Sequence, residues 1–189
     1  MKVIIRRWLK VTDPTALTAT EALRRALSYG RDVQGMYRSE LFVLELPEKV
    51  SADEAREAIE HFAERSNLLY NPNKHAKEVV FGSEIFHPRG NAWILAWEDR
   101  DESSLLQAIN RGPLTFEVLG VRTAMLWELD WSGENPRSVA EDLAVSRERK
   151  KGLLVNPHFQ HAEVLAEKPH ADTIAGLLAS RSKGTHEYA

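Results

Sequence analysis

Cysteine is absent from this chain of 189 residues. That excludes disulfides, thiolate nucleophiles and cysteine-ligated metals together. Long apolar runs are absent too. None approaches the roughly 18 residues that a membrane span needs. The opening stretch MKVIIRRWLK has neither a long apolar core nor a small-residue cleavage site, so it reads as a first strand and not a signal peptide. Charge of one sign is not concentrated anywhere. Lys and Arg number 25 against 28 Asp and Glu, a net charge of −3, which offers no electrostatic grip on nucleic acid or an anionic membrane. Neither of the common phosphate-cradling glycine loops occurs, nor does the Gly-x-Ser-x-Gly elbow. What remains is 43% apolar and 28% charged residues, the composition of a soluble globular protein. A cytoplasmic location is the expectation.

What the chain does contain is a repeat. Setting each residue against the one 85 places later pairs Val33 with Val118, Gly35 with Gly120, Leu41 with Leu126 and Leu44 with Leu129. It also pairs Ala55 with Ala140, Leu68-Leu69 with Leu153-Leu154, Asn71-Pro72 with Asn156-Pro157, and Glu78-Val79 with Glu163-Val164. Eleven of 48 positions are identical, where random pairing at average composition gives about 3. With a short gap, VIIRRWL from Val3 to Leu9 aligns with AWILAWE from Ala92 to Glu98. Each unit is about 85 residues, a size that buries a limited fraction of its surface alone. The two units are therefore expected to pack on each other as a covalent pseudo-dimer.

Within a unit the patterns alternate. Val3 to Val11 reads as a strand, broken by Asp13-Pro14. Ala16, Ala19, Leu23, Ala26 and Leu27 have helical spacing, and Gly30 marks a stop. Glu40 to Leu46 is a second strand. Ser51 and Glu54 form a capping box ahead of an apolar stripe of Ala55, Ala58, Ile59 and Phe62. Asn71-Pro72 turns the chain into a third strand, His75 to Gly82. Unit two repeats the order. Its strands are predicted at Ala92–Glu98, Val121–Trp131 and His161–Ala166. Its helices are predicted from Asp101 to Gly112-Pro113 and from Pro136, a favoured first helical position, with Asn135 as the cap. The predicted class is α+β: two tandem β-α-β-α-β units at 1–84 and 85–168, each a two-layer sandwich of antiparallel or mixed sheet with helices on one face. Residues 169–189 read as a tail, with one amphipathic helix at Ala171–Leu178.

Candidate chemistry is sparse. His158-x-x-His161 is the tightest histidine pair, with His75 at the related place in unit one, but further metal ligands are missing. His61 has no visible partner. Asp53, Glu54, Glu57, Glu60 and Glu64 lie along one helix and read as a solvated face. The basic run Arg147–Lys151 ends a helix, where it complements the dipole. The five tryptophans sit mainly in strands and read as core, with a partner surface as the lesser reading. No residue is assigned to catalysis, to a metal or to a cofactor.

The paired stretches Leu68-Leu69-Tyr70-Asn71-Pro72 and Leu153-Leu154-Val155-Asn156-Pro157 resemble the Leu-Leu-Ala-Asn-Pro stretch of PurS, the small subunit of phosphoribosylformylglycinamidine synthase. Val11-Thr12-Asp13-Pro14, with Glu21-Ala22-Leu23 and Leu27-Ser28-Tyr29-Gly30 behind it, is similar to that family's first helix. Val121-Arg122 followed by Glu128-Leu129 is similar to its Val-Arg-x-Gly-Lys-x-x-Glu-Leu strand. The family's Gly-Lys is replaced by Ser39-Glu40 in unit one and by Ala124-Met125 in unit two, and unit two has no Asp-Pro start. The resemblance covers residues 1 to about 166 as two tandem copies. It implies the β-α-β-α-β fold and a non-catalytic role with no cofactor. It also implies dimeric pairing and a function in holding a glutaminase subunit to an ATP-dependent synthetase subunit in purine biosynthesis. Large single-chain synthases of this kind carry a fused two-copy equivalent. Asp13, Pro14, Leu68, Leu69, Asn71, Pro72, Arg122, Leu153, Leu154, Asn156 and Pro157 are the residues the resemblance singles out, as structural or interface positions. The chain is expected to be a monomeric pseudo-dimer or a higher homo-oligomer. Two other readings stay open: an enzyme of the dimeric α+β barrel type enclosing a small apolar substrate, and a ligand sensor with its site at the seam between units.

Overall fold

The computed structural model describes residues 1–27, 30–145, 154–165 and 167–180. Six strands, β1 (Lys2–Leu9), β2 (Val33–Glu45), β3 (His75–Phe81), β4 (Ala92–Trp97), β5 (Gly120–Trp131) and β6 (His161–Leu165), form one antiparallel sheet in the order β3-β1-β2-β5-β4-β6. The expectation of a separate sheet in each unit is corrected here. β2 and β5 are long enough to pair along their whole length, from Val33 opposite Trp131 to Glu45 opposite Gly120, and this ladder merges the halves.

Among the described residues five α-helices accompany the sheet: α1 (Pro14–Ala26), α2 (Ala52–Ser66), α3 (Ser103–Asn110), α4 (Pro136–Ala144) and α5 (Ala171–Ser180). Local chemistry explains their starts. Asp13 caps α1, its carboxylate accepting from Thr15 N at 2.9 Å and Ala16 N at 3.3 Å, with Pro14 at the first position where no amide is needed. Ser51 Oγ accepts from Glu54 N at 3.2 Å to begin α2. α3 starts two residues later than expected, because Asp101 accepts from Ser103 N and Ser103 Oγ instead of entering the helix.

The strand ladders of the two halves run in matching register. Ile4 stands between Val43 and Val80 in its ladders, and Trp93 stands between Glu128 and Leu165. Both flanking residues of Trp93 lie 85 places after those of Ile4. Glu40 pairs with Met125 at the middle of the β2–β5 ladder, and these too are 85 apart. A local two-fold axis therefore passes between Glu40 and Met125.

Helices cross that axis. Ala16, Ala19 and Leu23 of α1, seated on Val33 and Met36 in the first part of β2, share one cluster with Ala140, Leu143 and Ala144 of α4 and with Ala92, Ile94, Trp127 and Leu129. In the other half, Ile109 of α3 joins Ala55, Ile59 and Phe62 of α2 over Val3, Ile5, Phe42 and Leu44. Each core thus receives the first helix of the opposite half. Gly112, just after α3, lies against the Phe62 ring so closely that a Cβ there would sit 2.3 Å from Phe62 Cε2. Strand alternation puts both of these cores on one face of the sheet.

The opposite face carries α5. Ala171, Ile174, Ala175 and Leu178 pack on a cluster containing Ile4, Val43, Val80, Trp93, Leu95 and Trp97, together with Phe86. The helices of the two units, α1–α4, share one face as expected, and α5 adds a layer on the other. Ala171–Ser180, read as part of a tail, is a core helix because its stripe of small and branched apolar residues matches the apolar strand residues that face it. The helix before the basic run Arg147–Lys151 is described only to Ala144, so that run and Leu153 lie outside the described residues.

Candidate functional site

The two Asn-Pro turns show what their motif does. Asn71 Oδ1 accepts from Asn73 N at 3.0 Å, and Asn71 O accepts from Lys74 N at 3.0 Å and His75 N at 2.8 Å. Asn156 Oδ1 accepts from His158 N at 3.0 Å, and Asn156 O accepts from Phe159 N at 3.4 Å and Gln160 N at 2.9 Å. The return bond repeats with different chemistry: Asn71 N donates to His75 Nδ1 at 3.2 Å, and Asn156 N donates to Gln160 Oε1 at 3.0 Å. These are side-chain-closed turns of the kind asparagine favours. Leu69 is fully buried ahead of the first turn, with Leu68 packed on the same core, and Leu154 packs on the other core. Pro72 O accepts from Lys10 Nζ at 2.7 Å, and Pro157 holds the matching place in the second turn.

His75 is held neutral more firmly than an ordinary histidine. Partial burial lowers its pKa most, the charge of Arg7 lowers it further, and Glu40 opposes them. His161 Nε2 instead donates to Asp99 Oδ2 at 2.9 Å, and its ring lies 5.5 Å from the Trp97 ring. The histidine pair His158/His161 is thus split between a turn and a surface hydrogen bond. Among the described residues no group of three or more His, Asp or Glu is placed to hold a metal. Arg122 is exposed on β5 opposite Val43.

At the seam, beside the axis and on the face of α1–α4, lies a cleft of about 510 Å³ lined by Arg7, Arg38, Glu40, Phe42, Glu98, Glu102, Trp127 and Leu154. Its charges are paired. Arg7 Nη2 reaches Glu40 Oε2 at 2.5 Å, and Arg38 Nε reaches Asp13 Oδ2 at 2.9 Å. Arg100 reaches Glu98 at 2.6 Å. Arg100 and the hydrogen bond from Gln160 keep the Glu98 pKa below its ordinary value, although burial, the largest single influence, pushes it upward. Thr123 Oγ1 donates to Glu102. This bond occupies the place in half two that Arg38–Asp13 occupies in half one.

A second polar centre went unread in the sequence. Arg6 and Glu128 are 4% and 1% exposed, on strands that read as apolar. Arg6 donates from Nε to Ser39 Oγ at 3.0 Å, from Nη1 to Glu78 Oε2 at 3.0 Å, and from Nη2 to Glu128 Oε1 at 2.6 Å. Ser39 Oγ donates to the same Glu128 oxygen at 2.5 Å, and Arg89 N donates to Glu128 Oε2 at 2.5 Å. The network ties β1, β2, β3 and β5 to the segment joining β3 and β4. Three of its members have apolar counterparts in the axis-related half: Leu95 for Arg6, Ala124 for Ser39 and Val43 for Glu128. It is a one-sided addition to an otherwise apolar layer. The signal that could have found it is the lone Arg and lone Glu interrupting two strand patterns.

Comparison of the chain with protein-family models, with curated proteins and with solved structures finds no match. Among the described residues, no helix is long and apolar enough to cross a membrane.

Proposed function

We propose that this chain is a non-catalytic assembly subunit of the PurS kind, or a paralogue of one, in which two copies of the unit are fused. In this reading it holds the glutaminase subunit to the ATP-dependent synthetase subunit of phosphoribosylformylglycinamidine synthase, so its part in that ligase is architectural. The observation that carries the reading is the crossing of α1 and α3 over a local two-fold axis. It is the arrangement expected when two partners of an intertwined dimer become one polypeptide. The two Asn-Pro turns support it, since their hydrogen bonds repeat atom for atom apart from the His75-for-Gln160 exchange. The motif residues act in this reading as builders of the unit, and the partner contacts fall on surfaces around the axis.

Co-expression with both synthase subunits and size-exclusion chromatography tests it. A stable complex containing all three chains is expected. If the chain elutes alone at micromolar concentration with both subunits and glutamine present, the assembly role is refuted.

The seam cleft favours a second reading, a ligand-sensing module with its site on the axis. Thermal shifts with purine intermediates and amino acids test that reading. The barrel-enzyme reading has less support, because the seam cleft is lined by Trp127 and Trp97 without a converging histidine among its described lining.

A further inference from the structure

β1 ends at Leu9, opposite the middle of β2, while β2 runs back to Val33. The first part of β2 therefore has β5 on one side and, among the described residues, no strand on the other. Side chains of α1 close that edge. Arg24 donates to Val33 O at 3.0 Å and to Gln34 O at 2.8 Å, and Met36 N donates to Thr20 Oγ1 at 3.0 Å. Strand addition is blocked there. What is left is a cleft of about 420 Å³ between the β1–α1 connection, α1 and β2, within the size range of small-molecule sites.

The cleft presents cations that have not been neutralised. Arg6 is spent on Glu78 and Glu128, Arg38 on Asp13, and Arg24 on Glu21. Arg89 and Lys10 also line it, and among the described residues neither has a carboxylate within ion-pair distance. Arg89 is also held in place. Its N–H is bonded to Glu128, its carbonyl accepts from Trp93 Nε1 at 3.0 Å, and its guanidinium lies 4.7 Å from the centre of the Tyr37 ring. Gly90 after it has φ +70° and no room for a Cβ, which would lie 2.1 Å from Leu129 O. The buried network thus fixes the backbone from which an exposed cation projects. Trp8 and Leu17, the latter 51% exposed, add apolar wall.

The axis-related place in half two is divided. Beside Trp97, Asp99 and Thr123, Leu178 of α5 enters it and leaves about 10 Å³, while a cleft of about 510 Å³ lies beside Arg100, Glu102, Leu106, Gly120 and Arg122. The two halves differ in charge at the closed part, where Asp99 stands in the place of the cationic Lys10.

We propose that this cleft binds a small organic anion with a planar apolar body, the body against Trp8 and Tyr37 and a carboxylate on Arg89. A guanidinium binds a carboxylate through two parallel hydrogen bonds, which a lysine cannot reproduce. The inference is independent of the assembly role and can fail separately from it.

Titration calorimetry of the full chain with 2-naphthoate tests the proposal, with 2-naphthylmethanol and inorganic phosphate as controls. Saturable one-to-one binding of 2-naphthoate is expected, with the neutral alcohol and phosphate each at least tenfold weaker. Arg89→Ala should weaken 2-naphthoate at least tenfold, and Arg89→Lys should recover only part. The Arg89 side chain is exposed, so both variants should retain the parent thermal transition. Lys10→Ala offers a second, milder loss on the other wall. Undiminished binding by Arg89→Ala overturns the proposal. Equal binding of the alcohol, which would mark an apolar patch, or of phosphate, which would mark a plain anion site, overturns it as well.

Discussion

Replacing Arg6 by leucine should unfold far more than a surface charge would. The side chain is 4% exposed and partners Glu128, itself 1% exposed. Without Arg6, Glu128 keeps only the bonds from Ser39 Oγ and Arg89 N. A buried carboxylate stripped of its counter-ion costs about 3–5 kcal/mol, a large share of the roughly 5–15 kcal/mol that holds a domain together. The double variant Arg6→Leu/Glu128→Val should cost less than Arg6→Leu alone. It installs the residue types found at the axis-related Leu95 and Val43. The remaining penalties are the Arg89 N–H, which loses its acceptor, and the buried Ser39 hydroxyl, which loses both Arg6 and Glu128, at about 1–3 kcal/mol for each unsatisfied group. Urea denaturation followed by tryptophan fluorescence and circular dichroism measures both variants, with the slope checked for two-state behaviour. The pair should show a coupling energy of about 2 kcal/mol or more. A cost below about 1 kcal/mol for Arg6→Leu would refute the argument, since that is the value of a solvated pair. Additive losses in the double variant would refute it too.

Other expectations follow from the same geometry. His75 has a folded pKa below its ordinary 6.5, so the unfolded chain binds more protons as the pH falls below about 6.5, and stability drops across that window. His75→Gln supplies the acceptor that Gln160 supplies in the second turn, and should flatten this part of the pH–stability curve while keeping the parent transition at neutral pH. Gly112→Ala drives a methyl into the Phe62 ring and should cost about 1–3 kcal/mol. Phe62→Leu in the same chain should return part of that loss, and strictly additive effects would argue against α3 seating in the first half's core. Asp13→Ala removes the α1 cap and the Arg38 ion pair together, with an expected loss of about 1–2 kcal/mol in thermal or urea unfolding.

Much of the element order was legible because its signals are local. The Asp13-Pro14 and Ser51 caps, the Asn71-Pro72 turn and the Val/Ile/Trp strand runs each act within a few residues. The first part of β2 was missed. Gln34, Gly35, Arg38 and Ser39 break the apolar alternation, and those residues serve the β2 edge, the cleft and the buried network instead of an ordinary core. The crossing of α1 and α3 was illegible for a different reason. An apolar stripe such as Ala16-Ala19-Leu23 shows that a helix is buried, and is silent on which half receives it. Arg6 and Glu128 lie far apart in the chain, and only the β1–β2–β5 ladders bring them together. The single sheet was hidden likewise, since the pairing of Glu40 with Met125 leaves no mark on either strand alone.

The crossing of the helices also bears on how the chain emerges during synthesis. Phe62 and Ile59 of α2 can be made, and the strands beneath them paired, while α3 is still unmade. The first half therefore meets the cell with an uncovered apolar surface for as long as the ribosome needs to add the next fifty or so residues, at about 5–20 residues per second. During those seconds α1 has only the first part of β2 to rest on, and α4, which completes its cluster, is not yet made. A fused pair spares the protein the search for a partner by diffusion, and in exchange imposes an order of arrival in which the later half completes the earlier one.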